Sequence, residues 1–455
     1  MVTTVPRSVR IGYGVGAFGT GTFSTVPGLL LLFYLTNVLA VSAWLAGLVV
    51  FLPKLWDLFI NTYVGQRSDS TVSRFGPRRP WLLLGALTLP VAFALTFLGP
   101  PLTGVPAAIY VGVMFFLTAT AYAFFEVPYK AMPAEMTGDY HERSSLLQWR
   151  MIFLGLAILV SGAVAPAITS MEGIGGPVAG YRLMGVVIGA LLLIAMLGAF
   201  FGTARAPVVG KVATEHSLRA QLVVARTNGM FLVVLVLSCA QMFAASVMLA
   251  GTPYFATYVL GHPETTTALF VFLVGPILLT MPLWVRLSTR LEKRGAMVLS
   301  SALFLAGAAG LALTPQFGTA YAYGCVLLVG VGYAGFQLLQ FSMLSDVIVH
   351  DSLVTGKRRA GVFTGLWTAS ETVVMGLGAL ALGWILGAVG FVESDPSTPV
   401  TQPAGAVDAV LLSTTLLPAL FMAISIALTL RYTLTAETLA EAGRAAEGAP
   451  AQTAS

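Results

Sequence analysis

The sequence predicts an all-α polytopic membrane protein with twelve transmembrane helices in two pseudo-symmetric six-helix halves. Three observations predict it. First, 57% of the 455 residues are hydrophobic and only 9% are charged, against about 25% charged in a soluble domain. Second, the apolar residues gather in twelve runs of about 18 residues or more, the length that crosses a bilayer. Third, the basic residues fall almost entirely on one side of those runs. The 24 basic and 19 acidic side chains are too few to solvate a globule of this size, which excludes a soluble enzyme, a disordered chain and a nucleic-acid binder.

Taken in order, the runs cover 11–39, 43–64, 80–99, 105–130, 148–170, 181–203, 229–259, 265–286, 296–315, 319–346, 361–391 and 408–431. The first is too long for the apolar region of a secretory signal, although Ala40, Val41 and Ser42 faintly resemble a cleavage site. An even number of crossings puts both termini on one side. That side carries Arg7, Arg10, Arg67, Arg74, Arg78, Arg79, Lys130, Arg143, Arg150, Arg205, Lys211, Arg219, Arg226, Arg286, Arg290, Lys293, Arg294, Lys357, Arg358, Arg359, Arg431 and Arg444, which is 22 of the 24. Only Arg182 falls opposite, and Lys54 lies inside the second run. The positive-inside rule places both termini in the cytoplasm and the protein in the plasma (inner) membrane as a multi-pass chain.

Residues 204–228, polar and central, read as a cytoplasmic middle loop between an N-terminal bundle (1–203) and a C-terminal bundle (229–431). Residues 432–455 read as an Ala-rich cytoplasmic tail, and 392–407 as a Pro/Ser/Thr-rich external loop. The halves echo each other. The fourth helix ends at Glu135, followed by Asp139 and Arg143, as the tenth ends at Asp346, followed by Asp351 and Arg358. Two such halves are the pattern of secondary transporters. Cys239 and Cys325 sit in apolar runs and read as small buried residues. The four histidines have no metal-ligand spacing, and no metal or cofactor is expected.

The second intervening loop runs Gly65-Gln66-Arg67-Ser68-Asp69, then Arg74-Phe75-Gly76-Pro77-Arg78-Arg79. This is similar to the G-x-x-x-D-x-x-x-x-R-x-G-x-R-R loop of the major facilitator superfamily. Around it stand Lys54-Leu55-Trp56-Asp57, Glu126-Val127-Pro128-Tyr129, the group Glu135, Asp139, Arg143 and Arg150, and Gly361-Val362-Phe363-Thr364-Gly365-Leu366-Trp367. Together these resemble the glycoside–pentoside–hexuronide:cation symporter family of the melibiose-permease type, to which the sodium-dependent lysolipid carriers are related. The resemblance covers roughly residues 10–430. It implies transport by alternating access, with H⁺ or Na⁺ as coupling ion.

A charge at a helix centre costs about 2.5–3.5 kcal/mol on insertion scales, so charges inside the runs are candidates for function. They are Lys54, Asp57, Glu126, Lys130 and Glu371, with Arg150 near the start of the fifth run. Lys54 and Asp57 share a helix face and read either as a self-neutralising pair or as a cation site. In the resembled family the motif R/K-x-x-D-x-x-N-D holds the cation with two acids. Here Asp57 matches the first acid, Ile60 replaces the Asn, and Asn61 replaces the second acid. One carboxylate suits a proton better than a hard cation wanting several oxygens. Glu126 reads as a sugar-gripping acid or as the partner of Lys130, one turn on. Pro128 is expected to break the helix beside it.

The resemblance places Tyr122 in the sugar pocket, Lys130 where an aromatic platform stands, and Arg150 at the cavity or against Glu135 and Asp139. The first-helix acid of the sugar site would fall at Gly21 and is missing. The glycines at 12, 14, 16, 19 and 21 read as a close-packing face rather than a nucleotide loop. Glu371 precedes Thr372, where the family places a lysine, and reads as a proton site, a substrate contact or a partner for a buried base. Gln337, Gln340, Trp367 and Thr368 are further substrate candidates, as are Gln241, Tyr254 and Tyr258. Asp69, Arg74, Arg78, Glu135 and Arg143 in one half, with Arg290, Glu292, Asp346, Asp351 and Arg358 in the other, read as a cytoplasmic charge lock.

The expected function is a cation-coupled symporter of a glycoside-like or other polar solute. A lipid or amphiphile carrier of the same fold is the alternative, followed by a non-transporting receptor. No triad, metal cluster or HExxH-like pair suggests an enzyme. The expected partners are the bilayer and a small solute, without nucleic acid, and the expected state is a monomer.

Overall fold

A computed structural model describes residues 5–137, 139–171, 175–207, 226–356, 359–395, 400–435, 437–439, 441 and 444. Twelve of its helices are long and apolar enough to cross a membrane. They are α1 (Arg7–Asn37), α2 (Ala43–Ser70), α3 (Arg79–Phe97), α4 (Gly104–Met136), α5 (Tyr140–Thr169), α6 (Pro177–Gly202), α7 (Gly229–Tyr254), α8 (Thr265–Arg290), α9 (Glu292–Gly310), α10 (Thr319–Thr355), α11 (Ala360–Ala388) and α12. Helix α7 continues through a π-helical turn, Phe255–Val259. Helix α9 continues through a 3₁₀ turn, Leu311–Leu313, into a last turn, Thr314–Phe317. Helix α12 runs in two pieces, Ala404–Thr414 and Leu416–Thr429, broken at Thr415 with φ −120° and ψ −69°.

Several helices outrun their apolar stretches. Helix α2 reaches Ser70, α4 reaches Met136 and α10 reaches Thr355. The backbone ladder does not stop where the hydrocarbon stops, so the polar residues just beyond each run stay helical. Asp69, Glu135 and Asp351 are therefore helix-borne rather than loop-borne. Helix α4 also runs unbroken through Pro128 and Pro133. The missing amide of Pro128 removes one hydrogen bond, but the packing around α4 holds the helix, contrary to the expected local break. Most of the middle loop (208–225) and of the tail, together with Lys357 and Arg358, lie outside the described residues.

The chain forms two compact units. One comprises Met1–Ala213, Ser246–Val274 and Gly376–Thr414; the other comprises Thr214–Ala245, Gly275–Met375 and Thr415–Ser455. In the first, α1 packs on α5 and α6, and α3 on α4 and α6. The glycine face of α1 makes this possible. A Cβ on Gly12 would lie 2.6 Å from Gly202 Cα, and one on Gly14 would lie 2.8 Å from the Phe153 ring. Helix–helix association in lipid rests on such close backbone approach.

The first unit also holds a seam where the end of α1 and the start of α2 meet later segments. A Cβ on Gly383 would stand 2.5 Å from the Ala43 carbonyl oxygen, and one on Gly47 would stand 3.2 Å from Leu380 Cα. The Ser394 amide donates to the Thr36 carbonyl and the Ala40 amide to the Ser394 carbonyl, both at 3.1 Å. Glu393 Oε1 accepts from the Ala43 amide at 2.8 Å, satisfying an orphan donor at the start of α2. Tyr254 and Thr36 share a 2.6 Å hydroxyl hydrogen bond, and Tyr258 donates to Asn37 Oδ1. In the second unit α9 packs on α10, with Gly332 against the Phe304 amide and the Ser300 carbonyl oxygen.

Adding volume at the α1–α6 contact is expected to destabilise the bundle. Gly12→Val should cost about 1–3 kcal/mol, read as a lower melting temperature in detergent. Gly324→Ala, whose Cβ would meet nothing within 4 Å, should leave it nearly unchanged.

Candidate functional site

The membrane-embedded charges of the first unit gather on α2, α4 and α5. Asp57 is 5% exposed. Its Oδ2 lies 3.8 Å from Lys54 Nζ on the preceding turn, and its Oδ1 is buried with no hydrogen-bond partner. Asn61 follows one turn later, partly buried. Ile60 belongs to an apolar cluster with Val64 and Ala123, against which Trp56, Trp81, Phe124 and Val127 pack. Position 60, an Asn in the resembled motif, thus serves the α2–α4 interface here, which leaves one carboxylate and one amide as oxygen donors.

On α4, Glu126 Oε1 lies 2.7 Å from Lys130 Nζ. The i,i+4 spacing brings them together on one face. Tyr122, a turn earlier, places its hydroxyl beside the Glu126 carboxylate. The Arg150 charge reaches Glu126 and the hydroxyls of Tyr13, Tyr122 and Tyr129. Tyr13 and Tyr129 stack with ring centroids 4.5 Å apart.

Sequence reasoning did not single out Phe23. Its ring packs on Tyr122 at 4.4 Å, and Lys54 Nζ lies 5.8 Å from its centroid, so it joins the α2 and α4 parts of the site. One phenylalanine among 27 carries no signal in an apolar helix. Tyr13 was equally silent.

The second unit holds the remaining candidates. Gln340 is fully buried and donates to Gln241 Oε1 at 2.6 Å. Gln241 in turn donates to Ser301 Oγ at 2.9 Å. Gln340 therefore ties α10 to α7 and α9. Gln337 donates to the Tyr333 hydroxyl at 3.0 Å, and its Oε1 is buried without a partner. Trp367 and Glu371, both on α11, line a narrow cleft with Leu235, Ser238, Cys239, Met242 and Ser370. Thr368 is exposed and donates to the Thr364 carbonyl at 3.0 Å.

Of the charge-lock candidates, three meet in the first unit. Arg78 Nε donates to both Glu135 oxygens at 2.9 and 3.1 Å, and the guanidinium also pairs with Asp69. Ser68 Oγ accepts from Nη1 at 2.6 Å. Burial disfavours the Arg78 charge, but the hydrogen bonds and charges of Glu135 and Asp69 outweigh it and hold its pKa above the ordinary value. Arg74 instead lies over the Phe75 ring, and Arg143 donates to the Thr137 carbonyl at 3.2 Å.

In the second unit Asp346 pairs with Lys293 at 2.7 Å and accepts from the Tyr432 hydroxyl at 3.3 Å. Asp351 pairs with Arg359 at 2.7 Å and accepts from Asn228 Nδ2 at 3.2 Å. Among the described residues neither Arg290 nor Glu292 joins these ion pairs. Arg358 lies outside the described residues.

Twelve apolar helices with a few charges held inward define a solute carrier of the membrane. The chain belongs to the MFS/sugar transport protein family, whose profile matches residues 12–436. It is 26% identical to an uncharacterized symporter of Synechocystis, covering 94% of each chain. It is 24% identical to the inner membrane symporter YicJ of Escherichia coli, covering 93% of this chain and 91% of that one. A bacterial homologue of the human lysosomal transporter Spinster, solved inward-facing and unoccupied, superimposes with a TM-score of 0.70 at 13% identity over 98% of each chain. The protein is thus a secondary active transporter of the inner membrane. The relatives' names do not favour the amphiphile-carrier alternative.

Removing one partner of the buried Arg78 cluster should be costly. Glu135→Gln is expected to lose on the order of 3 kcal/mol, seen in thermal unfolding. Arg74→Gln, on the exposed loop, should stay within about 0.5 kcal/mol.

Proposed function

We propose that the protein is a cation-coupled symporter of a polar, sugar-like solute, with Asp57 as the coupling carboxylate. The observation that carries this reading is the buried, unpartnered Oδ1 of Asp57 beside Lys54. A carboxylate left half-satisfied in an apolar helix is poised to take a cation. With Ile60 in the α2–α4 interface, Asp57 and Asn61 offer few oxygens, which favours H⁺ over Na⁺. Tyr122, Glu126, Lys130 and Arg150 present hydroxyl, carboxylate and cationic groups suited to a hydroxylated solute. In the second unit Trp367, Thr368 and Glu371 join Gln337 and Gln340, whose Oε1 atoms are buried without hydrogen-bond partners, as candidates for solute or cation.

The reading takes both termini as cytoplasmic and the monomer as the working unit. Arg78 with Glu135 and Asp69, Asp346 with Lys293, and Asp351 with Arg359 then lie at cytoplasmic helix ends. They would rearrange as the carrier alternates.

The test is uptake by purified protein in proteoliposomes under imposed H⁺ or Na⁺ gradients with a panel of sugars and glycosides. Asp57→Asn is expected to lower gradient-driven uptake by about tenfold or more, while solute exchange without a gradient persists. Gradient-driven uptake that survives Asp57→Asn unchanged would sink the coupling role.

A further inference from the structure

We propose that the α8–α9 turn docks the anionic phosphate headgroup of a bilayer lipid, held by Arg286, Arg290 and Arg294. The inference needs neither the coupling role of Asp57 nor any particular solute.

One side chain fixes the rotation of α8. Trp284 is buried, and its Nε1 donates to the Val331 carbonyl at 2.9 Å. Gly335 makes the room, since a Cβ there would stand 2.6 Å from the indole. Both partners lie on α10, so the opposite face of α8 looks outward. Steps of four, three and four residues put Leu279, Leu283, Arg286 and Arg290 in line on that face. Leu279 and Leu283 are 82% and 56% exposed, and both arginines are exposed. On a membrane-spanning helix such leucines meet acyl chains. The arginines follow them within two turns, at the level where headgroups begin.

The turn itself adds the third cation. Helix α9 starts at Glu292, after the single exposed residue Leu291. Glu292 takes a left-handed φ of +57°, rare for a residue other than glycine, and the chain reverses at once. Arg294, also exposed, thus follows Arg290 by only four residues. Among the described residues none of the three arginines is in an ion pair. The nearby acids of the same unit are spent, Asp346 on Lys293 and Asp351 on Arg359.

Water alone can satisfy an exposed arginine. Three of them at the end of a lipid-facing leucine stripe select something more specific. A lipid whose chains cover Leu279 and Leu283 brings its phosphate to the guanidinium groups, whose paired N–H donors match phosphate oxygens. Each basic residue near a membrane surface favours anionic lipid by about fivefold.

The test is competition in detergent micelles. The purified protein is mixed with equal amounts of phosphatidylglycerol and phosphatidylcholine of the same acyl chains, and the retained lipids are counted by native mass spectrometry. Phosphatidylglycerol should be retained about fivefold or more over phosphatidylcholine. Changing all three arginines to Gln should abolish the preference. Changing all three to Lys, which keeps the charge, should retain part of it, and Arg290→Gln alone should lower it. Arg67→Gln, on an exposed arginine of the first unit, should leave it in place. Melting temperatures in lipid-free detergent confirm folding. Equal retention of the two lipids by the unaltered protein overturns the proposal, as does a preference that survives the triple Gln change or falls equally in Arg67→Gln. Displacement of the lipid by millimolar glycerol 1-phosphate also overturns it, because a free phosphate ester would then be the occupant.

Discussion

An ionised side chain in hydrocarbon must find its counter-charge within the protein. That constraint organises this molecule. Asp57 has Lys54, Glu126 has Lys130, and Arg78 has Glu135 and Asp69, each pair set by helix periodicity or by the packing of two helices. The apolar bulk of the helices gives these few groups their strength, since little else competes for them. The pairing is incomplete at Asp57, whose Oδ1 is buried without a hydrogen-bond partner, and the proposed coupling role rests on that atom.

Much of this was legible before any coordinates. Hydropathy gave all twelve crossings because a bilayer demands long apolar runs. The pairs three and four residues apart followed from helical spacing alone. Helix ends were less legible, since α2, α4 and α10 continue past their apolar stretches on backbone hydrogen bonds. Partner choice was less legible still. Lys293 looked like a topology charge and proved to hold Asp346, and Arg359, absent from the charge-lock reading, pairs with Asp351. Gln340 had the look of a cavity residue, and packing shows that its Nε2 also bridges α10 to α7. Ile60 had only its departure from a motif to speak for it, and its place in the α2–α4 cluster became visible through packing.

The missing acid at Gly21 is the instructive case. In the sequence it was a departure from a resembled pattern and nothing more. The coordinates turn it into a steric fact, because α5 occupies the space a side chain would need. A position that has given up its side chain for close packing has also given up its charge, and the gain is a tight α1–α5 contact.

The seam between Gly47 and Gly383 carries a different consequence. It is closed by van der Waals contact, hydroxyl bonds from Tyr254 and Tyr258, and amide hydrogen bonds around Thr36, Glu393 and Ser394. No opposed pair of ionised side chains is among those contacts. Parting such a joint exposes backbone and small surfaces that water can rewet, without pulling ions apart in a low-dielectric medium. The closure therefore rests on packing and hydrogen bonds rather than on ion pairs, and salt has little hold on it.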